Sequence, residues 1–188
     1  MKKALTLLIV LSLLFLFVNG EESGAKKLFV EANGNFLFPS DSVYKDVYGS
    51  SVFYPGFEAG YKIVNNIYIF AGFEMLSVDG TTPVLEESAK STQNIFSVGV
   101  GYAGDLSDKF GYRVELGGSS FSYKEEAFGE EVTGSKFGFL LKGGLSYDLS
   151  DSFYAAFFLG YSAASDNVDG TDIKLGGFKT SLGVGVKF

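Results

Sequence analysis

Period-two alternation repeated in eight separate segments restricts this chain more than any other feature. In the first segment Val30, Ala32, Phe36 and Phe38 share one parity, while Glu31, Asn33 and Asn35 take the other. Successive side chains of a strand point to opposite faces, so such a segment has one apolar and one polar side. The pattern returns at 57–63, 67–75, 96–102, 110–116, 137–147, 153–163 and 178–188. The seventh segment is the least regular, because Tyr154 and Phe158 sit on the polar parity. The connections alternate as well. Pro39–Ser51, Asp79–Gln93, Tyr123–Ser135 and Ala164–Asp172 are long, polar and expected to be exposed loops, whereas 64–66, 105–108 and 148–151 are tight turns. Asp-Leu-Ser-Asp occurs in two of the tight turns, at 105–108 and 148–151. The reading is a hairpin unit of about forty residues used four times, a meander of eight antiparallel strands.

Such a sheet must dispose of two edges, and closure into an up-and-down barrel removes both. The polar parity is mostly Gly, Ser and Ala with scattered charges, a poor surface for water. The apolar parity is Phe, Tyr, Leu, Val and Ile almost without relief, too bulky for the lumen of eight strands. Turning the bulky parity outward toward lipid resolves both problems. The expected fold is therefore all-β: an eight-stranded antiparallel transmembrane β-barrel. A soluble lipocalin-like carrier barrel is the competing architecture, disfavoured further by the absence of Trp. Outward aromatics collect near the short turns (Tyr61, Tyr102, Phe110, Tyr112, Tyr147, Phe153, Phe188). A second set lies near the long connections (Phe38, Phe53, Phe96, Phe137, Tyr161). Two girdles at headgroup level are expected from rings that are apolar at one end and polar at the other.

The chain opens with Lys2 and Lys3, an uncharged apolar run at 4–18, and Val18-Asn19-Gly20 before Glu21-Glu22. This is the three-part pattern of a secretory signal peptide, and the run is short for a membrane helix. The expected organisation is a cleaved signal at 1–20 and a barrel domain at 21–188. Cleavage would move the formal charge from −7 to −9. With no Cys there is no disulfide or thiol chemistry, and with no His the commonest general base is missing. An acidic chain without a basic cluster argues against a nucleic-acid partner.

The final strand, with Leu182, Val184, Val186 and terminal Phe188 on one face, resembles the signal read by the outer-membrane barrel assembly machinery. The whole segment 21–188 resembles the small OmpA/OmpX-type outer-membrane β-barrel family. That resemblance implies residence in the outer membrane, both ends and the short turns in the periplasm, and contacts with lipid and lipopolysaccharide outside. Barrel enzymes of related architecture rely on His, so a non-enzymatic protein without cofactor or resident metal is expected.

By parity Glu31, Glu58, Glu74, Arg113, Glu115, Lys142 and Lys179 point into the lumen, since an outward Arg or Lys at mid-membrane costs about 2–4 kcal/mol. Strand adjacency predicts Lys179 beside Glu31, and Arg113 and Glu115 beside Lys142; two readings stand, a salt-bridged plug or the same charges solvated by trapped water with no gating role. Glu58 and Glu74, on neighbouring strands, are the only candidate acid/base dyad and are better read as partners of Lys and Arg. Asp166, Asp169 and Asp172 are spaced unlike a Ca²⁺ loop and read as hydrated chain. The expected role is structural or surface-interacting. The alternative is a narrow OmpW-like conduit, for which outward Gly34, Gly118 and Gly143 are the pointers to a gap in the wall.

Overall fold

The computed structural model describes residues 26–168 and 170–188. The proposed signal peptide at 1–20 lies outside them. Eight strands form one closed barrel in sequence order: β1 (Leu28–Pro39), β2 (Val52–Val64), β3 (Ile67–Thr81), β4 (Ser88–Asp105), β5 (Phe110–Ala127), β6 (Glu130–Asp148), β7 (Phe153–Val168) and β8 (Thr171–Lys187). Every pairing is antiparallel, and β8 closes on β1 through Phe29–Pro39 and Gly177–Lys187. One short helix, α1 (Ser42–Tyr48), stands between β1 and β2.

The bulky parity faces out. Phe139 is 49% and Val184 63% exposed, while Glu31 is 0% and Lys179 2% exposed. That distribution would be ruinous in water, and it excludes the lipocalin-like alternative, whose large apolar groups must fill the interior. It suits a wall solvated by acyl chains. All five rings assigned to the girdle near the long connections are exposed on the outside. So are Tyr61, Tyr102, Phe110, Tyr147, Phe153 and Phe188 at the other end. Neighbouring rings pack on one another, with Phe110 and Tyr147 at 4.8 Å and Phe36 and Phe53 at 5.1 Å between centroids.

The tight turns match the sequence reading closely. In both Asp-Leu-Ser-Asp turns the Leu and Ser amides donate to the carbonyl of the following Phe, Phe110 or Phe153. The Phe amide in turn donates to the Ser hydroxyl. The same four residues therefore build the same turn twice.

Three of the four long connections differ from expectation. The chain at 79–93 leaves the sheet only between Thr81 and Ser88; at 123–135 it leaves only between Ala127 and Glu130, and at 164–172 only between Val168 and Thr171. Their Asp, Glu, Ser, Thr and Gly mark where the strands leave lipid rather than where they leave the sheet. An 18-residue strand such as β4, at about 3.3 Å per residue and a tilt near 40°, climbs about 45 Å, well beyond an apolar belt about 25 Å tall.

Above the belt the wall divides. The β2–β3 ladder ends at Gly56–Glu74 and the β6–β7 ladder at Phe139–Ala163. The β3–β4, β4–β5 and β5–β6 ladders run on to the tips. Four strands thus continue as a flap. Its outer edge on β6 is charged at Glu130, Glu131 and Lys136, which discourages edge-to-edge pairing.

Candidate functional site: the ionic lumen

Seven charged side chains meet inside the barrel because each occupies an inward position of its strand, and inward positions have no lipid to face. The first cluster joins β1, β2, β5 and β6. Arg113 Nη2 pairs with Glu31 Oε2, and its Nη1 lies 3.7 Å from Glu58 Oε1. Lys142 Nζ lies 2.5 Å from Glu58 Oε2 and 2.8 Å from Glu115 Oε2. The second cluster joins β3 and β8, where Lys179 Nζ pairs with Glu74 Oε1.

These pairs are struts across the lumen. β1 and β5 are four strands apart, as are β2 and β6, so Arg113–Glu31 and Lys142–Glu58 span the diameter of an eight-stranded barrel. Around the clusters, inward hydroxyls add further hydrogen bonds. Tyr68 donates to Glu115 Oε1 at 2.6 Å, Tyr54 to Glu74 Oε2 at 3.0 Å, and Ser181 to Asn35 Oδ1 at 2.5 Å. Ser97 and Ser119 hydroxyls are 2.7 Å apart. Rings fill the remaining space: the Arg113 guanidinium lies 4.4 Å from the Phe158 centroid and 4.7 Å from that of Phe29.

All seven residues singled out from the sequence are therefore in the lumen, and each has a partner of opposite charge. The expected pairing of Lys179 with Glu31 is not formed. On β1, Lys179 stands opposite Leu37 and Glu31 opposite Gly185, so the two lie six residues apart along the seam. Strand adjacency names neighbours but not their height, which the tilt and stagger of the barrel set. Glu115 does face Lys142 across the β5–β6 ladder. Arg113 also lies near Lys142, as expected: it reaches across to Glu31 on the opposite wall, shares Glu58 with Lys142, and both cations lie over the Phe158 ring. Glu58 and Glu74 do not form a dyad, since each is held by its own lysine.

Sequence reasoning missed the inward rings Tyr54, Tyr68, Phe70, Phe121, Tyr123 and the apolar Leu37 and Leu76, all buried. A signal was present for several. Tyr68 faces Gly101, Phe70 faces Gly99, Phe158 faces Gly144 and Tyr154 faces Gly185 on the adjacent strand. In each case a Cβ on the glycine would run into the ring. Ring and glycine on one inward pair is how a narrow lumen accepts a large side chain. This also explains why Tyr154 and Phe158 break the alternation of β7.

The mouth at the end of the long connections is capped by α1. Asp41 starts the helix by accepting from Val43 and Tyr44 amides at 2.9 and 3.1 Å, and its other oxygen accepts from the Lys174 amide at 3.1 Å. Tyr48 donates to Glu125 at 2.6 Å, Ser91 to the other oxygen of Glu125 at 2.6 Å, and Tyr44 to Ser91 at 3.1 Å. Beneath it Leu37, Val52, Tyr54 and Leu76 form an apolar layer against Tyr44. Burial raises the Glu125 carboxyl above the usual glutamate value, with the Ser91 and Tyr48 bonds pulling the other way. Asp166 is held below the usual aspartate value by the Tyr123 hydroxyl and Lys136. It accepts from that hydroxyl at 2.7 Å and from the Asn167 amide at 2.7 Å and pairs with Lys136 at 2.9 Å, and Asp169 lies outside the described residues. Leu182, Val184 and Phe188 are exposed on the outer face of β8, with Val186 half-buried on the same face.

The three glycines considered as pointers to a gap do not mark one. The Phe53 ring covers Gly34, and Gly118 and Gly143 sit within continuous ladders. The unpaired stretches lie elsewhere, above Gly56–Glu74 on the β2–β3 seam and above Phe139–Ala163 on the β6–β7 seam.

No family model matches the chain, and no curated protein matches its sequence. Solved structures do match in shape. OprG, an outer-membrane protein of Pseudomonas aeruginosa, superposes with a TM-score of 0.68 at 14% identity over 87% of this chain and 96% of its own. Neisserial surface protein A gives 0.60 at 19% identity over 88% and 100%. Ail, the attachment invasion locus protein of Yersinia pestis, gives 0.55 at 16% identity over 87% and 100%. The chain has the fold of the small eight-stranded outer-membrane barrels of the OmpA/OmpX type.

Proposed function

We propose that this chain is an integral outer-membrane protein, exported with cleavage after residue 20, that serves the envelope structurally and through surface contacts, without enzymatic activity. The observation that carries the reading is the set of ion pairs spanning the lumen from Arg113, Lys142 and Lys179. Charges committed to partners on opposite walls brace the barrel and occupy the path that a pore would need. Each inward carboxylate of the struts has a cation, which leaves no free acid/base pair for hydrolysis. Lipid meets the apolar wall. The polar outward residues above it, Thr92, Asn94 and Ser122, are suited to hydrogen bonding with lipopolysaccharide. Leu182, Val184, Val186 and Phe188 supply the strand that the assembly machinery would read.

Fractionation tests residence: the protein should pellet with carbonate-extracted outer membranes and show heat-modifiable gel mobility, and recovery in the soluble fraction contradicts it. Planar-bilayer recording tests the plug: the intact barrel should carry no steady current, and a persistent open level contradicts it.

One observation favours the conduit as a second reading. Above the plug the β2–β3 seam is open, with Pro55 and the start of β2 on one side and α1 packed on Gly80 of β3 at the other. The apolar layer of Leu37, Val52 and Leu76 lies just inside. Faster uptake of a small hydrophobic solute into liposomes, with no ionic current, would select this reading.

A further inference from the structure

At the mouth ringed by the short turns a cavity of 470 Å³ opens into the lumen below the first ionic cluster. Its size falls within the usual range for a small-molecule site, about 300–1,000 Å³. The charge of its lining is opposite to that of the chain. Six cationic side chains border it against three Asp, in a protein whose formal charge is −7. Lys187 is paired with Asp148 at 2.6 Å and Arg113 with Glu31. Lys26 donates to the Asp151 carbonyl and, at 2.8 Å, to the Ser152 hydroxyl, neither of which cancels its charge. Among the described residues no carboxylate pairs with Lys62 or Lys109. The rim therefore keeps a positive excess over Asp105 and Asp108.

The floor is different in kind. Phe29, Tyr68 and Tyr154 line it, with Phe29 and Tyr68 in edge contact at 5.3 Å. Arg113, 6% exposed, also borders the cavity, and its Nε has no hydrogen-bond partner there. A cleft with walls of one sign concentrates counter-ions, and an aromatic floor rewards an apolar body. The surrounding ladder separates the cavity from acyl chains, so its ligand arrives from water.

We infer that this vestibule binds a soluble amphipathic anion, a phosphate or carboxylate carried on a flat apolar group, with the anion at the lysine rim and the ring on the floor. The site shares Arg113 with the struts at its floor but does not require the lumen to conduct. The mature protein in zwitterionic nanodiscs, which carry no anionic headgroups, provides the test. It is titrated by fluorescence with 1-naphthyl phosphate, with inorganic phosphate (charge without ring) and 1-naphthylmethylammonium (ring with opposite charge) as competitors.

Saturable binding of naphthyl phosphate is expected, with both competitors at least tenfold weaker. Lys62→Glu with Lys109→Glu should weaken it at least tenfold, whereas Lys90→Glu at the opposite end should leave it unchanged. Heat-modifiable mobility checks that each variant is folded. Because the lysines lie at the rim, a second reading of the same feature is available in the wild-type chain: binding should weaken as salt is raised. No saturable binding, equal competition by either competitor, or indifference to both charge reversal and salt would overturn the inference.

Discussion

Tyr68 lays its ring on Gly101 of the neighbouring strand and donates its hydroxyl to Glu115, so one residue ties lumen packing to the ionic cluster. Gly101→Ala should displace that ring and destabilise the barrel by about 1–3 kcal/mol, the usual cost of overpacking. Gly118→Ala should be nearly neutral, since its Cβ would meet nothing nearer than the Gly138 carbonyl at 3.9 Å. Urea unfolding in lipid vesicles compares the two, and equal effects would contradict the ring-on-glycine account. Lys142→Met leaves Glu115 without a cation and Glu58 with only Arg113 at 3.7 Å, and should cost about 3–5 kcal/mol by the same assay. Adding Glu58→Gln and Glu115→Gln should recover most of the loss, because the cost lies in unbalanced buried charge rather than in lost contacts. At this scale the sequence was legible in direction but not in distance. Parity alone turned all seven charges inward. It carried no information on height, so it set Lys179 beside Glu31 when stagger places it beside Glu74. The inward rings were overlooked because glycine was read as filler, when Gly101, Gly144 and Gly185 are the partners that make room for them.

Among the elements, the tight turns and the apolar cores of the strands were readable because each is fixed by local chemistry: Asp-Leu-Ser-Asp in one case, alternation in the other. Strand ends were not. Polar composition is the ordinary mark of a loop, but here 82–87 and 128–129 are all that leaves the sheet at the second and third long connections, since a ladder once paired continues into water. The helix α1 was hidden for a different reason, its seven residues being too few to show a period. Its tether is pH-sensitive. Burial lifts the folded Glu125 value above the unfolded one, so its contribution is complete below the ordinary glutamate value and is lost as pH rises through the raised one. Protection of the α1 amides, after correction for the intrinsic pH dependence of exchange, should therefore rise as pH falls toward the ordinary glutamate range, and Glu125→Gln should flatten that dependence. Asp166 has the opposite sign. Its lowered value confines its loss of stability to pH below the ordinary aspartate range, outside that window. At the other end of the chain, Phe188→Ser should reduce assembled protein in cells several-fold while leaving refolding into detergent intact, if β8 acts as the assembly signal. Equal loss in both assays would make its role purely structural.

The whole molecule is an inversion of a soluble barrel, with three cations and four carboxylates inside and rings and branched aliphatics outside. The interior is then held by struts of opposite charge and by rings resting on glycine. The exterior requires only that acyl chains surround it. Fold class and orientation were legible at this scale because both follow from one parity repeated eight times. The cationic vestibule was not, because Lys26, Lys62, Lys109 and Lys187 are scattered in sequence and meet only when the barrel closes. The most direct test of the orientation is magnetisation transfer from lipid acyl chains to side-chain methyls, by NMR in nanodiscs. Val98, Val100, Leu116, Leu141 and Val184 should receive it strongly, and the inward Leu37, Leu76, Ile95 and Leu140 should not. Transfer to the second set with silence from the first would contradict the account.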